Sequence, residues 1–366
     1  MTFIKSIKLS HFRSHKHANL NLDHRPIAIS GANGSGKTNI IEAVSLFSPG
    51  RGLRRANAQS MMRAPECLGW KISGHVKSEN RSVEIRFSSK PGLKREVNID
   101  GKSATQIELL QYTRVLWLIP SMDRLWIEGS EGRRRFLDRI ALSFFPTHAE
   151  NTLRYEKSMR ERNKLLRDQV GDPHWYKAIE NQMAISGAAI NKARKTAINY
   201  ILKSQKGATT EFPLATLKLQ QREESFPETE DELRESFQSS RANDLATGRT
   251  TLGPHKSDIH ASYTTKGIAA TQCSTGEQKA LLISIILANA RALSVYQSQS
   301  PLLLLDEVSA HLDKDRRAAL YEEISALGLQ AWMTGTDEEL FLEFSDRAQY
   351  ITVSENKGTS KIIKKT

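Results

Sequence analysis

The chain has 366 residues, enough for two structural units with a large core, and carries a formal net charge of +12 at pH 7 with a pI near 9.6. This basic balance indicates a polyanionic partner, a merely basic surface being the alternative. The two cysteines are isolated and lack metal-ligand spacing, which excludes a disulfide scaffold and a zinc site. The amino terminus has no apolar signal core, and apolar runs such as 281–288 are shorter than a membrane span. The sequence therefore predicts a cytoplasmic protein.

The amino-terminal residues Phe3–Leu9 alternate apolar and polar side chains, which predicts a strand. A second strand at Arg25–Ser30 leads into a glycine-rich segment, and the helical period of Asn39–Phe47 follows it. The segment fits G-x-x-x-x-G-K-[ST], in which backbone N–H groups surround phosphates, the lysine meets the β and γ oxygens and the threonine hydroxyl meets Mg²⁺. We therefore expect a nucleotide site formed by Gly31, Ala32, Asn33, Gly34, Ser35, Gly36, Lys37 and Thr38.

Further elements follow in chain order. Alternating segments predict strands at Trp70–Val76, Ser82–Phe87 and Lys94–Ile99, the last two joined as a hairpin through Pro91-Gly92. From residue 131 the period becomes helical, over Gly132–Ile140, His148–Val170 and Trp175–Lys203. A polar stretch at 223–249 comes next, and strands return at Asp258–Tyr263, Pro301–Leu305, Leu329–Met333 and Tyr350–Val353.

A second motif, Cys273-Ser-Thr-Gly-Glu-Gln-Lys279, precedes a helix of small and aliphatic residues predicted for Ala280–Leu293. A serine and a glycine at a helix N-terminus place a hydroxyl and N–H groups where the helix dipole is positive. An ordinary N-cap uses the same residue types. Because the motif lies shortly before a strand that ends in two acids, we interpret Ser274 and Gly276 as an anion site.

That strand, Leu302–Leu305, runs directly into Asp306 and Glu307. A buried strand ending in two acids is costly unless a cation lies opposite, a solvated strand end being the alternative. We expect Asp306 and Thr38 to hold Mg²⁺, and Glu307 to polarise a water for attack on the γ-phosphate of ATP. Lys37 would stabilise the transferring phosphoryl group. The basic charge then favours nucleic acid as the partner.

The two halves of this site lie near opposite ends of the chain and must meet at one phosphate chain. The sequence therefore predicts an α/β fold whose ATPase lobe is assembled from both chain ends, with a mainly helical lobe inserted between them. The expected boundaries are 1–120 for the amino-terminal part of the ATPase lobe, 121–249 for the helical insert and 250–366 for the carboxyl-terminal part.

These motifs resemble those of the ATP-binding-cassette (ABC) ATPases. Ser274-Thr-Gly276-Glu277 is similar to their signature motif, and Ser309-Ala-His-Leu-Asp313 to the D-loop after their Walker B strand. The opening 7–14 resembles the first strand and turn of the SMC-like branch, whose members usually carry a long coiled coil; the insert here has no sustained heptads and is too short for one. The resemblance implies that Ser274, Gly276 and Asp313 of one head complete the ATP site of another.

Two more segments, Gly132-Arg-Arg-Arg-Phe-Leu-Asp138 and Thr251-Leu-Gly-Pro-His-Lys-Ser-Asp258, resemble the RecF family, although a second acid usually stands at the position of Ser257. Thr334 or Thr336 stands where transporters carry a switch histidine, and no Q-loop glutamine is assigned. The resemblance implies an ATP-dependent homodimer that binds DNA at gaps and single/double-strand junctions. It also implies assistance to RecO and RecR in loading RecA, and release by slow ATP hydrolysis.

Several basic residues are candidate DNA contacts, and each neutralised phosphate should steepen the salt dependence of binding. They are Arg51, Arg54, Arg55, Arg133, Arg134, Arg135 and Lys256. Helical neighbours are about 100° apart, so the three consecutive arginines cannot all face one partner, and some should pair with Glu131 or Asp138.

Two smaller expectations and two alternative functions remain. The Gly253-Pro254 turn is expected to present His255 outward together with the lysine that follows it. Trp117 and Trp126 are expected in the core rather than as base-stacking platforms. The alternative functions are a transporter-type ATPase subunit that docks on a membrane partner, and an ATP-dependent scaffold whose main ligand is a protein.

Overall fold

The computed structural model describes residues 1–78, 81–220, 227–308 and 312–364. The chain divides into two compact units. Unit 1 comprises Met1–Asp123, Ala208–Pro213 and Ser274–Thr366, and unit 2 comprises Arg124–Gly207 and Leu214–Cys273. Unit 1 is therefore assembled from both ends of the chain, as the separation of the two nucleotide motifs predicts.

The regular elements are named here in chain order. The strands are β1 (Phe3–Phe12), β2 (His15–Asn21), β3 (Ile27–Ser30), β4 (Trp70–Lys77), β5 (Ser82–Ser89), β6 (Glu96–Ile99), β7 (Lys102–Ser103), β8 (Val115–Leu118), β9 (Ala215–Gln220), β10 (Asp258–Tyr263), β11 (Ile268–Ala269), β12 (Leu302–Leu305), β13 (Ala331–Gly335), β14 (Gln349–Asn356) and β15 (Thr359–Lys364). The helices are α1 (Lys37–Ser45), α2 (Ser130–Phe144), α3 (Thr147–Arg167), α4 (Pro173–Lys206), α5 (Glu230–Ser239), α6 (Arg241–Thr247), α7 (Thr275–Gln297) and α8 (Lys314–Ala326).

Two sheets are described in unit 1. The first is antiparallel with the order β2-β1-β4-β5-β6-β7, and β5 and β6 form the predicted hairpin. The second has the order β15-β14-β3-β13-β12-β8; its strands from β14 to β8 run parallel, and β15 pairs antiparallel with β14. Strand β3, from the amino-terminal part of the chain, lies between β13 and β14, from the carboxyl-terminal part. Neither end of the chain therefore forms this sheet alone.

An apolar core joins both sheets of unit 1 with helix α1. Ile7 on β1, Ile72 on β4, Ile29 on β3 and Ile41 on α1 are each at most 1% exposed and belong to this core. Burial of such side chains stabilises a fold by about 1.5–3 kcal/mol each. Trp117 of β8 belongs to the same core, which confirms its expected place. Helix α1 is thus held rigidly beneath the glycine-rich segment that precedes it.

Helix α7 contains the apolar run 281–288, which by itself is too short to cross a membrane. The whole helix runs from Thr275 to Gln297 and is long and apolar enough to do so by length and composition alone. However, 72% of its most apolar stretch is buried inside the protein. A helix that is apolar all round is typical of the core of a large protein. The apolar character of α7 is accounted for by its packing in unit 1.

Unit 2 is mainly helical but also contains the antiparallel sheet β11-β10-β9. The expected boundary between residues 249 and 250 is wrong, because β10 pairs along its whole length with β9 and so belongs to unit 2. The polar stretch 223–249 contains α5 and α6, and a capping box between Thr229 and Glu232 begins α5. Among the described residues the longest helix is α4, with 34 residues, and it packs against α3 rather than extending as a coiled coil.

A buried ion-pair network holds the helices of unit 2 together. The guanidinium of Arg162 on α3 is fully buried and donates to Glu180 of α4 at 3.0 Å and to Asp244 of α6 at 2.6 Å. It also donates to the carbonyl of Phe237 at the end of α5. Removing one partner of such a network leaves an uncompensated buried charge, so the members depend on one another.

A second arginine, Arg194 of α4, connects the RecF-like segments of unit 2. Its guanidinium forms a double hydrogen bond with Asp138 of α2, at 2.8 and 2.9 Å, and donates to the carbonyl of Pro254 and the hydroxyl of Ser257. Ser257 is fully buried, and its hydroxyl oxygen accepts this hydrogen bond from the guanidinium. The role of the 251–258 segment seen here is to join helices within unit 2.

The 251–258 segment turns the side chain of His255 inward, whereas the sequence predicts an outward position. Gly253 has φ +121°, and a Cβ there would lie 2.3 Å from the Tyr155 hydroxyl, so only glycine fits. His255 Nε2 lies 3.1 Å from the carbonyl of Thr250, an acceptor, so Nε2 carries the proton and Nδ1 accepts from the Tyr155 hydroxyl at 2.8 Å. Burial, reinforced by the charges of Lys256 and Arg134, lowers the pKa of His255 to about 4.

This low pKa predicts a pH-dependent stability of unit 2. His255 is neutral in the folded unit. Its contribution to the free energy of unfolding is fully present above pH 6.5, the ordinary pKa of a histidine in the unfolded chain. As the pH falls towards about 4, the unfolded chain takes up a proton that the folded chain does not, and the contribution is lost. Urea unfolding from pH 7 to pH 4 should show wild type losing about 3 kcal/mol more stability than His255→Gln. Equal losses in the two proteins would contradict this assignment.

Candidate functional site

The candidate site lies at the carboxyl end of the parallel strands of unit 1, the edge at which open α/β sheets bind ligands. β13 pairs with β3 on one side and β12 on the other, so the segments after these three strands are neighbours. The glycine-rich segment follows β3, the acid pair follows β12, and Thr334 lies within β13 near its end. The tertiary structure thus brings together the two halves predicted from the sequence.

The glycine-rich segment, here called the phosphate loop (residues 31–38), has a backbone that requires glycine. Gly31, Gly34 and Gly36 have φ values of +149°, +81° and +102°. A Cβ at Gly31 would lie 2.1 Å from the carbonyl oxygen of Val353, and one at Gly36 would lie 2.2 Å from the Ser360 hydroxyl. At Gly31 and Gly36, therefore, only a residue without a side chain fits, and the positive φ at Gly34 also favours glycine.

Helix α1 begins at Lys37, immediately after Gly36 in a left-handed conformation. The first N–H groups of a helix lack intrahelical partners and lie at its positive end, which favours an anion there. Lys37 is 4% exposed, and its ammonium donates to the carbonyls of Gly31 and Ala32 at 2.6 and 2.9 Å. Burial lowers the pKa of Lys37, opposed by the charges of Glu307, Asp306 and Asp337. The charges of Asp306 and Glu307, the acid pair after β12, therefore both act on the lysine.

Asp306 is the residue that connects the strands at this edge. Its Oδ1 atom accepts a hydrogen bond from the Thr38 hydroxyl at 3.0 Å and another from the Thr334 hydroxyl at 2.7 Å. The Thr334 hydroxyl also accepts the N–H of Glu307 at 2.9 Å. Glu307 has φ +56°, an uncommon conformation for glutamate. One buried threonine therefore orients both acids, and Glu307 is held in a strained backbone conformation of the kind that clusters at active sites.

These residues fit ATP with Mg²⁺. A backbone that glycine alone can form, at a helix N-terminus, suits a phosphate chain. The buried Ser35 hydroxyl has no hydrogen-bond partner within the described protein, so a polar group is available for a ligand. A hydroxyl and a carboxylate 3.0 Å apart are oxygen donors of the type that Mg²⁺ prefers, completed in such sites by phosphate and water oxygens.

The residues of the signature-like motif lie at the start of α7. Ser274 is the N-cap: its hydroxyl accepts the N–H of Glu277, whose carboxylate accepts the N–H of Ser274 at 2.8 Å. Ser274 and Gly276 are both exposed. Asp313 is likewise exposed and caps α8 by accepting the N–H of Arg316 at 2.8 Å. Residues 309–311 of the D-loop-like segment lie outside the described residues. Ser274, Gly276 and Asp313 are thus all accessible to a ligand, and each lies at the start of a helix.

The basic residues after α1 are accessible to a ligand. Arg51, Arg54 and Arg55 are exposed, and Arg54 donates to Asn39 at 3.1 Å and pairs with the buried Glu42 of α1 at 3.5 Å. The segment that carries these arginines is therefore attached to the helix that begins at the phosphate loop.

The arginine run on α2 has different surroundings. Arg133 forms a double hydrogen bond with Asp258 and donates to three backbone carbonyls, so its donors are used inside unit 2. Arg134 donates to the Ser130 hydroxyl at 2.7 Å, and burial lowers its pKa. Arg135 pairs with Glu131, as expected, and is exposed, as is Lys256. The partner of Arg133 is Asp258 rather than either acid expected from helical spacing. Of this group only Arg135 and Lys256 remain accessible candidates for a nucleic-acid contact.

Two features of the site escaped sequence reasoning. Thr334, one of two threonines at the position of the transporters' switch histidine, orients the two acids; only the pairing of β12 with β13 indicates this role. His15 of β2 is fully buried, and its Nε2 lies 3.1 Å from the carbonyl of Gly36. Burial lowers the pKa of His15, so the neutral ring lies against the phosphate loop. No sequence pattern marks that histidine, because the contact depends on the tertiary fold.

Comparisons with known proteins agree with this architecture. Residues 3–119 match the family described as RecF/RecN/SMC N terminal domain. The chain is 43% identical over 365 residues to the DNA replication and repair protein RecF of Allorhizobium ampelinum, covering 97% of this chain and 98% of that protein. It is also 43% identical over 367 residues to the protein of that name from Brucella suis biovar 1, covering 97% of this chain and 96% of the relative.

Solved structures show the same fold. A structure of the recombination mediator protein RecF-ATP in RecFOR pathway has a TM-score of 0.83 at 22% identity, covering 99% of this chain and 98% of that chain. The Smc head domain with an extended coiled coil from Pyrococcus furiosus has a TM-score of 0.59 at 18% identity, covering 100% and 97%. The predicted ABC-type ATPase head is confirmed, and the chain belongs to the RecF family of DNA replication and repair proteins.

Proposed function

We propose that this protein is an ATP-dependent DNA-binding protein of repair and recombination, with a slow ATPase that serves as a conformational switch. The observation that carries the proposal is the arrangement of Thr38, Asp306, Thr334 and Glu307 beside the phosphate loop. It supplies a magnesium ligand set and an oriented carboxylate at one end of a phosphate-binding helix. The names of the relatives and the net charge of +12 support DNA as the ligand.

In the proposed reaction a water oxygen attacks the γ-phosphorus of ATP while the bond from that phosphorus to the β–γ bridging oxygen breaks. Glu307 orients the water and accepts its proton, and ADP and inorganic phosphate are the products. Lys37 and the N–H groups of residues 31–38 stabilise the negative charge on the transferring group. Mg²⁺, held by Thr38 and Asp306, would neutralise charge on the phosphate oxygens. Thr334 keeps both acids in position.

The exposed signature-like residues support a dimer formed around ATP. Ser274 and Gly276, at the positive end of α7, would contact the γ-phosphate bound by a second copy, and Asp313 would contribute from the start of α8. ATP then stabilises the closed dimer by mass action, and hydrolysis weakens it. Closure places the arginines after α1 from both copies on one DNA molecule.

The proposed setting is cytoplasmic, at gaps and at junctions of duplex and single-stranded DNA. Support for RecO and RecR as partners comes from the RecFOR pathway named for the similar structure, and loading of RecA is the inferred outcome. Family membership favours this reading over a transporter subunit. A protein scaffold would show nucleotide-dependent assembly without DNA affinity at any salt concentration.

Lys37→Met should abolish nucleotide-dependent dimer formation, because the ammonium that meets the phosphates is removed. Equilibrium binding of a fluorescent ATP analogue, together with sedimentation velocity, measures affinity and assembly in the same samples. Wild-type nucleotide affinity in this variant would refute the phosphate-loop assignment.

Glu307→Gln should retain ATP binding, lose at least about 100-fold in turnover, and accumulate as an ATP-bound dimer on DNA, because the amide cannot accept the proton of the attacking water. Single-turnover hydrolysis measures the chemical step. Turnover at the wild-type rate would place the catalytic base elsewhere.

The test of the whole proposal is binding to gapped duplex DNA with ATP, ADP or no nucleotide across a salt series. Wild type should bind tightly only with ATP. The variant with Arg51→Ala and Arg55→Ala should lower the slope of log affinity against log salt by about two if each arginine neutralises one phosphate. Arg25→Ala is the matched control, since Arg25 precedes β3 and lies at the opposite end of the strands. DNA binding that does not respond to nucleotide would overturn the switch mechanism.

A further inference from the structure

The carboxyl-terminal hairpin, β14 and β15, reaches the phosphate loop through one serine. The Ser360 hydroxyl lies 2.5 Å from the carbonyl oxygen of Ser35 and 2.6 Å from the Ser14 hydroxyl. A carbonyl can only accept, so the single Ser360 proton goes to Ser35, and the Ser14 hydroxyl donates in turn to Ser360. Ser14 accepts from the Asn39 amide at 2.7 Å. A continuous chain of hydrogen bonds thus runs from α1 through the hairpin to the loop.

The hairpin also contacts both ends of the loop at close range. A Cβ atom on Gly31 would lie only 2.1 Å from the carbonyl oxygen of Val353 on β14. A Cβ atom on Gly36 would lie only 2.2 Å from the Ser360 hydroxyl oxygen. Ser360 is 2% exposed, so no bulk water competes for its hydrogen bonds. The loop therefore has no room to move towards the hairpin.

A buried arginine fixes the hairpin to the turn after β1. Arg63 is 6% exposed and donates to the carbonyls of Ser14 and Gly358, at 2.8 and 2.9 Å, and to the hydroxyl of Thr359 at 2.8 Å. The backbone N–H of Ser360 donates to the carbonyl of Ser14 at 3.0 Å. These bonds hold Ser360 at a defined place rather than on a loose terminal strand.

We infer that the hairpin Gln349–Lys364 is a positioning element of the nucleotide site, and that Ser360 holds the Ser35–Gly36 peptide in the conformation that receives phosphate. The inference rests on the proposed ATP binding. A loop with three glycines at positive φ has large conformational freedom to lose when it binds a ligand. Holding one of its carbonyls before the ligand arrives reduces that cost and so raises affinity. Ser360 touches no reacting atom; it acts through the loop.

The test compares Ser360→Ala with Ser354→Ala, a matched serine that is exposed on the same hairpin. In Ser360→Ala, affinity for a fluorescent ATP analogue with Mg²⁺ should fall about five- to tenfold, the effect of one lost hydrogen bond. The KM for ATP should rise by a similar factor with kcat retained within about twofold, because the bond is the same before and during reaction. Ser354→Ala should match wild type in all three values.

Amide hydrogen exchange without nucleotide gives a readout that does not depend on ATP binding. The inference predicts faster exchange of peptides covering 31–38 in Ser360→Ala, while peptides of the antiparallel sheet exchange at the wild-type rate and the melting temperature falls by no more than a few degrees. Wild-type exchange and affinity in Ser360→Ala would overturn it, as would faster exchange throughout unit 1, which would mean a general structural role. If the loop exchanges faster but wild type itself does not bind ATP, the positioning contact stands and the proposed function fails.

Discussion

The carboxylate of Asp306 is the interaction on which the candidate site depends. Through Oδ1 it joins Thr38, at the start of α1, to Thr334 on β13, while its own backbone continues from β12. Three segments from the two ends of the chain are therefore held together by hydrogen bonds to one atom. A buried carboxylate would be costly by itself, but these hydroxyls, the nearby Lys37 and the proposed metal reduce that cost. The same group that aligns the fold would thus align the cofactor.

Unit 2 shows how arginines, including Arg133, which the sequence suggests as a DNA contact, are used inside the protein. Arg133 and Arg194 each make a double hydrogen bond with an acid, to Asp258 and Asp138, and each also donates to backbone carbonyls. Planar guanidinium groups suit such paired contacts and link elements far apart in the chain. The RecF-like segments of this unit therefore account for its internal architecture, while Arg135 and Lys256 of the same segments stay exposed.

The phosphate loop is constrained from both faces. On one side it continues into α1, whose apolar residues are buried in the core of unit 1; on the other it meets His15 and the carboxyl-terminal hairpin. Close packing explains why glycines are required at Gly31 and Gly36, where neighbouring oxygens occupy the space of a side chain. A site prepared in this way loses little conformational freedom on binding, which suits the proposed ATP-dependent dimer.

The amino-acid sequence alone determined the phosphate loop, the acid pair and the assembly of the ATPase unit from both chain ends, because these depend on short motifs and on strand and helix periods. It also predicted most elements, including β4, β5 and α4. It could not place the boundary of unit 2, since the pairing of β10 with β9 is a contact between distant segments. Nor could it show the inward turn of His255, the structural use of Arg133, or Ser360 beside Ser35. Hydrogen bonds between residues distant in the chain leave no local pattern, and only the tertiary structure decides them.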